Sequence, residues 1–93
     1  MRPVEKIASC EISFMPIQSA DYIKDVDRVL DIIKLSGLEY SVGILSTTVR
    51  GASGKIMSLI QDIYEKMDDV CHFTMDIRIS NICGCDKEVS GNN

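Results

Sequence analysis

The segment Ser46-Thr47-Thr48-Val49-Arg50-Gly51 sets three hydroxyls side by side in the middle of the chain. Buried hydroxyls need hydrogen-bond partners, supplied either by the protein or by a ligand. Glu11 and Ser13 lie in one flanking alternating segment and Asp76 in another, so the set offers both donors and acceptors. Met15, Phe14 and Tyr40 stand close to it in the expected strand arrangement. Such a group suits a flat aromatic heterocycle. Ring faces pack on methionine and aromatic side chains, and exocyclic amino groups bond hydroxyls and carboxylates. The acidic members would also favour a cationic ligand. The plainer reading makes these residues the polar surface of an open sheet, or part of a subunit interface.

Other chemistries find less support. His72 is the single histidine, with no serine or cysteine partner assigned by spacing, and reads as a solvated or strand-capping residue. Gly51-Ala52-Ser53-Gly54-Lys55 resembles a phosphate loop but lacks its length and its Lys-Ser/Thr ending. An ordinary strand-to-helix turn with Ser53 as the cap explains it, although a helix N-terminus there leaves phosphate binding open. Cys83-Gly84-Cys85 lacks the two-residue gap of zinc knuckles. The four cysteines therefore read as thiols, with an oxidation-formed disulfide as the alternative. No catalytic set, metal site or cofactor site is expected.

Residues 8 to 17 alternate, with Cys10, Ile12 and Phe14 on one face and Ser9, Glu11 and Ser13 on the other. Asp21 or Ser19 caps the helix that follows. Its apolar stripe is Tyr22/Ile23, Val26, Val29/Leu30 and Ile33, and Lys24, Asp25, Arg28, Asp31 and Lys34 form its wet side. Gly37 sits just past the helix end, where a left-handed backbone is easiest. Glu39 to Val42 reads as a second strand and Ser46 to Arg50 as a third. A second helix carries Ile56, Leu59/Ile60, Ile63 and Met67 at helical spacing. Phe73 to Ser80 alternates as the last strand, and Lys87 to Asn93 is a polar tail.

The order β-α-β-β-α-β predicts an α+β ferredoxin-like sandwich with two helices on one face of a four-stranded antiparallel sheet. Strands one and three are central. The helices should cover Cys10, Ile12 and Phe14 together with Phe73, Met75, Ile77 and Ile79. The open face would carry Glu11, Ser13, Met15, Thr48 and Arg50, with Asp76 and Arg78. Edge strands two and four are free to pair between subunits, and a symmetric dimer or dimer of dimers is expected. Acylphosphatases share this topology, but their site requires an arginine in a glycine-rich loop after the first strand. Met15-Pro16-Ile17-Gln18-Ser19 contains neither.

Ninety-three residues make one domain with one modest core. The composition, 45% hydrophobic and 26% charged, is that of a globular chain. Net charge is −4 and the basic residues are scattered, which argues against nucleic acid as a partner. No apolar run is long enough to span a membrane, and the first residues do not read as a signal peptide. A cytoplasmic location is the expectation.

Taken in order, several pieces resemble the thiamine-binding, YkoF-like proteins, small ferredoxin-like domains of bacteria and archaea. They are Ser13-Phe14-Met15-Pro16, Ile33-Lys34-Leu35-Ser36-Gly37-Leu38-Glu39-Tyr40, Ser46-Thr47-Thr48-Val49-Arg50-Gly51, and Ile77-Arg78-Ile79-Ser80 leading to Cys83 and Asp86. The chain is similar to the short, single-copy type, which assembles as dimers or tetramers. The resemblance implies binding of thiamine or its hydroxymethylpyrimidine moiety without transformation, in vitamin salvage or transport. It implies that Ser13, Ser46, Thr47 and Thr48 line a pocket. With Glu11, Met15 and Asp76 they form the expected ligand-binding set. The rival expectation is an oligomeric interaction or regulatory module with no small-molecule ligand.

Overall fold

A computed structural model describes residues 6–82. Within them the chain runs β1 (Ile7–Ile17), α1 (Tyr22–Leu35), β2 (Glu39–Val42), β3 (Thr47–Ala52), α2 (Ser53–Asp68) and β4 (His72–Ser80). The four strands form one antiparallel sheet in the order β2-β3-β1-β4, the ferredoxin-like arrangement with β1 and β3 at the centre.

Register decides which side chains share a face. Cys10 stands between Val49 and Ile79, and Ile12 between Thr47 and Ile77. Because side chains alternate along a strand, these project together to one side. Glu11 stands between Thr48 and Arg78 and projects to the other. Ala8, Cys10, Ile12 and Val49 meet Val29 and Ile33 of α1 and Ile56, Leu59, Ile63 and Met67 of α2 in one buried cluster. Both helices therefore cover that face. Full burial of each large aliphatic side chain stabilises the fold by roughly 1.5–3 kcal/mol.

Pro16 is tolerated within β1 because β3 pairs only as far as Ile12. Beyond that point β1 has β4 alone as a neighbour, with Pro16 opposite Phe73. Gly51 answers a different need. A side chain there would run into the buried side chain of Leu38, which packs across the strand at that point.

Helix boundaries follow local chemistry. Asp21 caps α1, its carboxylate accepting from the Lys24 N–H at 3.1 Å. Gly37, with φ 77°, takes the left-handed turn after the helix. Three sequence expectations fail here. Ser53 does not cap α2: β3 passes directly into the helix, Ala52 occupies the cap position without a side-chain bond, and Ser53 is already helical. The third strand begins at Thr47, since the Ser46 carbonyl closes the preceding turn by accepting from the Gly43 N–H. In α1 the buried line is Asp25, Val29 and Ile33, at four-residue spacing. Ile23, about 200° round the helix from Asp25, is 75% exposed, and Tyr22 is exposed as well. No helix among the described residues is long and apolar enough to cross a membrane.

Candidate ligand-binding site

The sheet separates the residues that the sequence grouped. Glu11, Ser13, Met15, Thr48 and Asp76 all lie on the open face, as the alternation predicts. Across that face Ser41, Thr48, Glu11 and Arg78 make one row, and Ser13 and Asp76 stand side by side in the next. A neighbouring row holds Glu39, Arg50 and Ser9, with Arg50 bonding Glu39 at 3.2 Å. Exposed to water, such a pair contributes little to stability. Met15 is the large apolar side chain of this set, and it is exposed. The rows of this face are mostly polar.

Thr47 is elsewhere. It lies opposite Ile12 and Val42 on the helix side of the sheet and is only 8% exposed. There it lines a cavity of about 210 Å³ between α1 and the β2–β3 hairpin. Val26, Val29, Leu30 and Ile33 of α1 form one wall, and Ile12, Phe14 and Thr47 come from the sheet. Val42, Ile44, Leu45 and Ser46 close the hairpin side. The Phe14 ring is held by stacking on Phe73, centroids 4.8 Å apart, and Tyr64 meets Phe73 edge-on. A flat wall beside a threonine hydroxyl thus has fixed orientation.

One bond ties the two faces together. From the open side the Ser13 hydroxyl donates to the Leu45 carbonyl at 3.1 Å, holding the hairpin tip to β1. Ser46 stands at that tip and lines the cavity. Of the predicted set, then, Ser46 and Thr47 meet at the cavity, and Ser13 reaches it through the backbone of Leu45. Glu11, Met15, Thr48 and Asp76 do not reach it. Of the aromatic residues expected nearby, Phe14 lines the cavity and Tyr40 does not.

A larger, polar cleft of about 670 Å³ opens between the β1–α1 turn and the α2–β4 turn. None of the residues predicted to bind a ligand lines it. Asp25 is its buried member, accepting a 2.5 Å hydrogen bond from the Ser19 hydroxyl. Cys71 lies beside it. Burial pushes the Cys71 thiol above its ordinary value of 9.0, the Asp25 carboxylate adds to the rise, and Arg28 opposes it. Cys10, inside the core, is raised too, by burial first and Glu11 second. Gln18 turns at φ 54°, a left-handed conformation uncommon without glycine. His72, exposed, begins β4 at the cleft margin. This cluster escaped sequence reading because Asp25 sits among charged helix residues, and only its Ser19 partner marks it as buried. Among the described residues no three His, Cys, Asp or Glu side chains gather to hold a metal ion. Cys83 and Cys85 lie outside the described residues.

Comparison with known proteins bears on the whole chain. The family model described as the YKOF-related family matches residues 7–86. The chain belongs to the YKOF-related family. Its fold recurs in solved structures of distant sequence. A Thermotoga maritima protein, described as proposed to act in thiamine biosynthesis or salvage, is 22% identical with a TM-score of 0.76. The match covers 94% of this chain and 99% of that one. A domain of unknown function from Bacillus cereus is 19% identical, over 96% and 92% of the two chains, with a TM-score of 0.76. A hypothetical protein from Methanocaldococcus jannascii is 17% identical, over 95% and 99%, with a TM-score of 0.72. No curated protein matches the chain.

Proposed function

We propose that this member of the YKOF-related family binds an aminopyrimidine, either free hydroxymethylpyrimidine or the pyrimidine half of thiamine, without transforming it. The cavity between α1 and the hairpin carries this reading. At about 210 Å³ it falls below the ~300 Å³ at which pockets for drug-sized ligands begin. That is room for one substituted ring, with the thiazolium of thiamine left outside. Aliphatic side chains and the Phe14 ring would sandwich the heterocycle, and the hydroxyls of Thr47 and Ser46 would meet its ring nitrogens and amino group. Family membership and the thiamine-related description of the Thermotoga protein support the same ligand class.

Titration calorimetry with hydroxymethylpyrimidine and with thiamine tests the reading. Saturable heat from both, with comparable affinities, is the expected result. No heat and no thermal shift at millimolar ligand would sink it.

A second reading, a self-associating interaction module in which the ligand plays no part, rests on exposed apolar residues. Tyr40, Val42, Ile44 and Leu45 are exposed along the edge strand β2 and its hairpin. Dimerisation measured by sedimentation, together with silence in the titration, would favour it. Cytoplasmic salvage or transport of the vitamin precursor is the setting that fits the first reading.

A further inference from the structure

The lining of the cavity holds no ionisable side chain. α1 contributes only aliphatic residues, the sheet Ile12, Phe14 and Thr47, and the hairpin only uncharged ones. Of the ionisable residues of α1, Lys24, Asp25 and Arg28 line the separate polar cleft, and Asp27, Asp31 and Lys34, each next in sequence to a cavity residue, are exposed and outside its lining. The carboxylates of Glu11 and Asp76, which the sequence reading would have placed against the ligand, project from the opposite face of the sheet. An aminopyrimidine whose ring nitrogen has taken up a proton would therefore enter as a cation with no counter-charge. Burying an unpaired charge is strongly disfavoured, whereas a neutral ring needs only its hydrogen bonds satisfied.

We infer that the cavity admits the uncharged aminopyrimidine and rejects its ring-protonated cation, so that hydroxyls, without a carboxylate, set its specificity. The inference rests on the proposed ligand class and adds the protonation state that is recognised. No group of the protein lining the cavity titrates, so the pH dependence of binding comes from the ligand. The competent fraction is the neutral one, and apparent affinity falls in proportion to it. Below the ring pKa of the ligand, that is about tenfold per pH unit.

The test is calorimetric titration of the intact chain with three aminopyrimidines of graded ring basicity, hydroxymethylpyrimidine among them. It runs across the pH range in which thermal melting shows the fold intact. Each ligand should bind with constant Kd above its own ring pKa and weaken about tenfold per unit below it. The midpoints should shift from ligand to ligand in step with basicity. Tighter binding on acidification would overturn the inference, because it would mean that a carboxylate pairs with the protonated ring. A single midpoint shared by all three ligands, or no pH dependence, would overturn it equally. Either result leaves the aminopyrimidine reading standing. Absence of binding by all three at every pH removes both.

Discussion

Thr47 and Thr48 are consecutive in the chain and face opposite ways through the sheet. Thr47 points under the helices between Ile12 and Val42, and Thr48 lies on the open side between Glu11 and Ser41. The two threonines thus serve as internal controls for each other. Thr47→Val keeps the shape and removes the hydroxyl, and should weaken aminopyrimidine binding about 3- to 10-fold, the worth of one hydrogen bond. Thr48→Val should leave the Kd unchanged. Calorimetry with paired melting curves checks both, and equal losses in the two variants would place the site elsewhere.

The Ser13 hydroxyl bonds the Leu45 carbonyl, so its removal should loosen the hairpin tip while leaving the sheet intact. For Ser13→Ala we expect faster amide hydrogen exchange across residues 43–47 and a stability loss of about 0.5–1 kcal/mol. Unchanged exchange in that segment would show that the bond does not hold the tip.

Asp25 is a buried carboxylate that accepts a hydrogen bond from Ser19. Ser19→Ala deprives a buried carboxyl group of its donor and should cost about 1–3 kcal/mol in urea unfolding. Replacing both partners, Ser19→Ala with Asp25→Asn, should cost less than the sum of the two single changes. Strict additivity would mean that the two side chains are not coupled.

Burial, followed by the neighbouring Asp25, raises the Cys71 pKa. The folded chain therefore holds that proton more tightly than the unfolded chain does. This contribution to stability is complete below the ordinary thiol value of 9.0 and is lost as pH rises from there through the folded value. At pH 9 Cys71 should alkylate more slowly than a free cysteine. Asp25→Asn should speed that reaction by lowering the thiol pKa. Mass spectrometry of peptides from a timed iodoacetamide reaction measures both rates, and a slower Asp25→Asn reaction would contradict the assignment.

Much of the fold could be read in the chain because periodicity carried it. Strict alternation at Cys10, Ile12 and Phe14 and the Ile56, Leu59, Ile63, Met67 stripe each report one face meeting one core. The open-face residues followed from the same alternation. Periodicity also separates Thr47 from Thr48, but shared hydroxyl chemistry joined them in a single polar set. The first turn of α1 was misread because Tyr22 and Ile23 are apolar and Asp25 is charged. Asp25 shares the buried line of Val29 and Ile33, where the Ser19 hydroxyl supplies its hydrogen bond. The cavity had no signature of its own. Val26, Leu30 and Val42 look like ordinary core residues, and a gap between α1 and the hairpin is a property of packing, which pattern does not record.

Gly51 and Leu38 draw on the same space, since a side chain at position 51 would meet the one at position 38. A lineage that altered one of them would constrain what it could accept at the other. Trimming Leu38 first leaves a void that a later alanine at position 51 partly fills. Adding that alanine first passes through an overpacked protein. The order of mutations, as well as their identity, is written into this contact, and it limits the routes by which the hydroxyl-bearing strand can diverge.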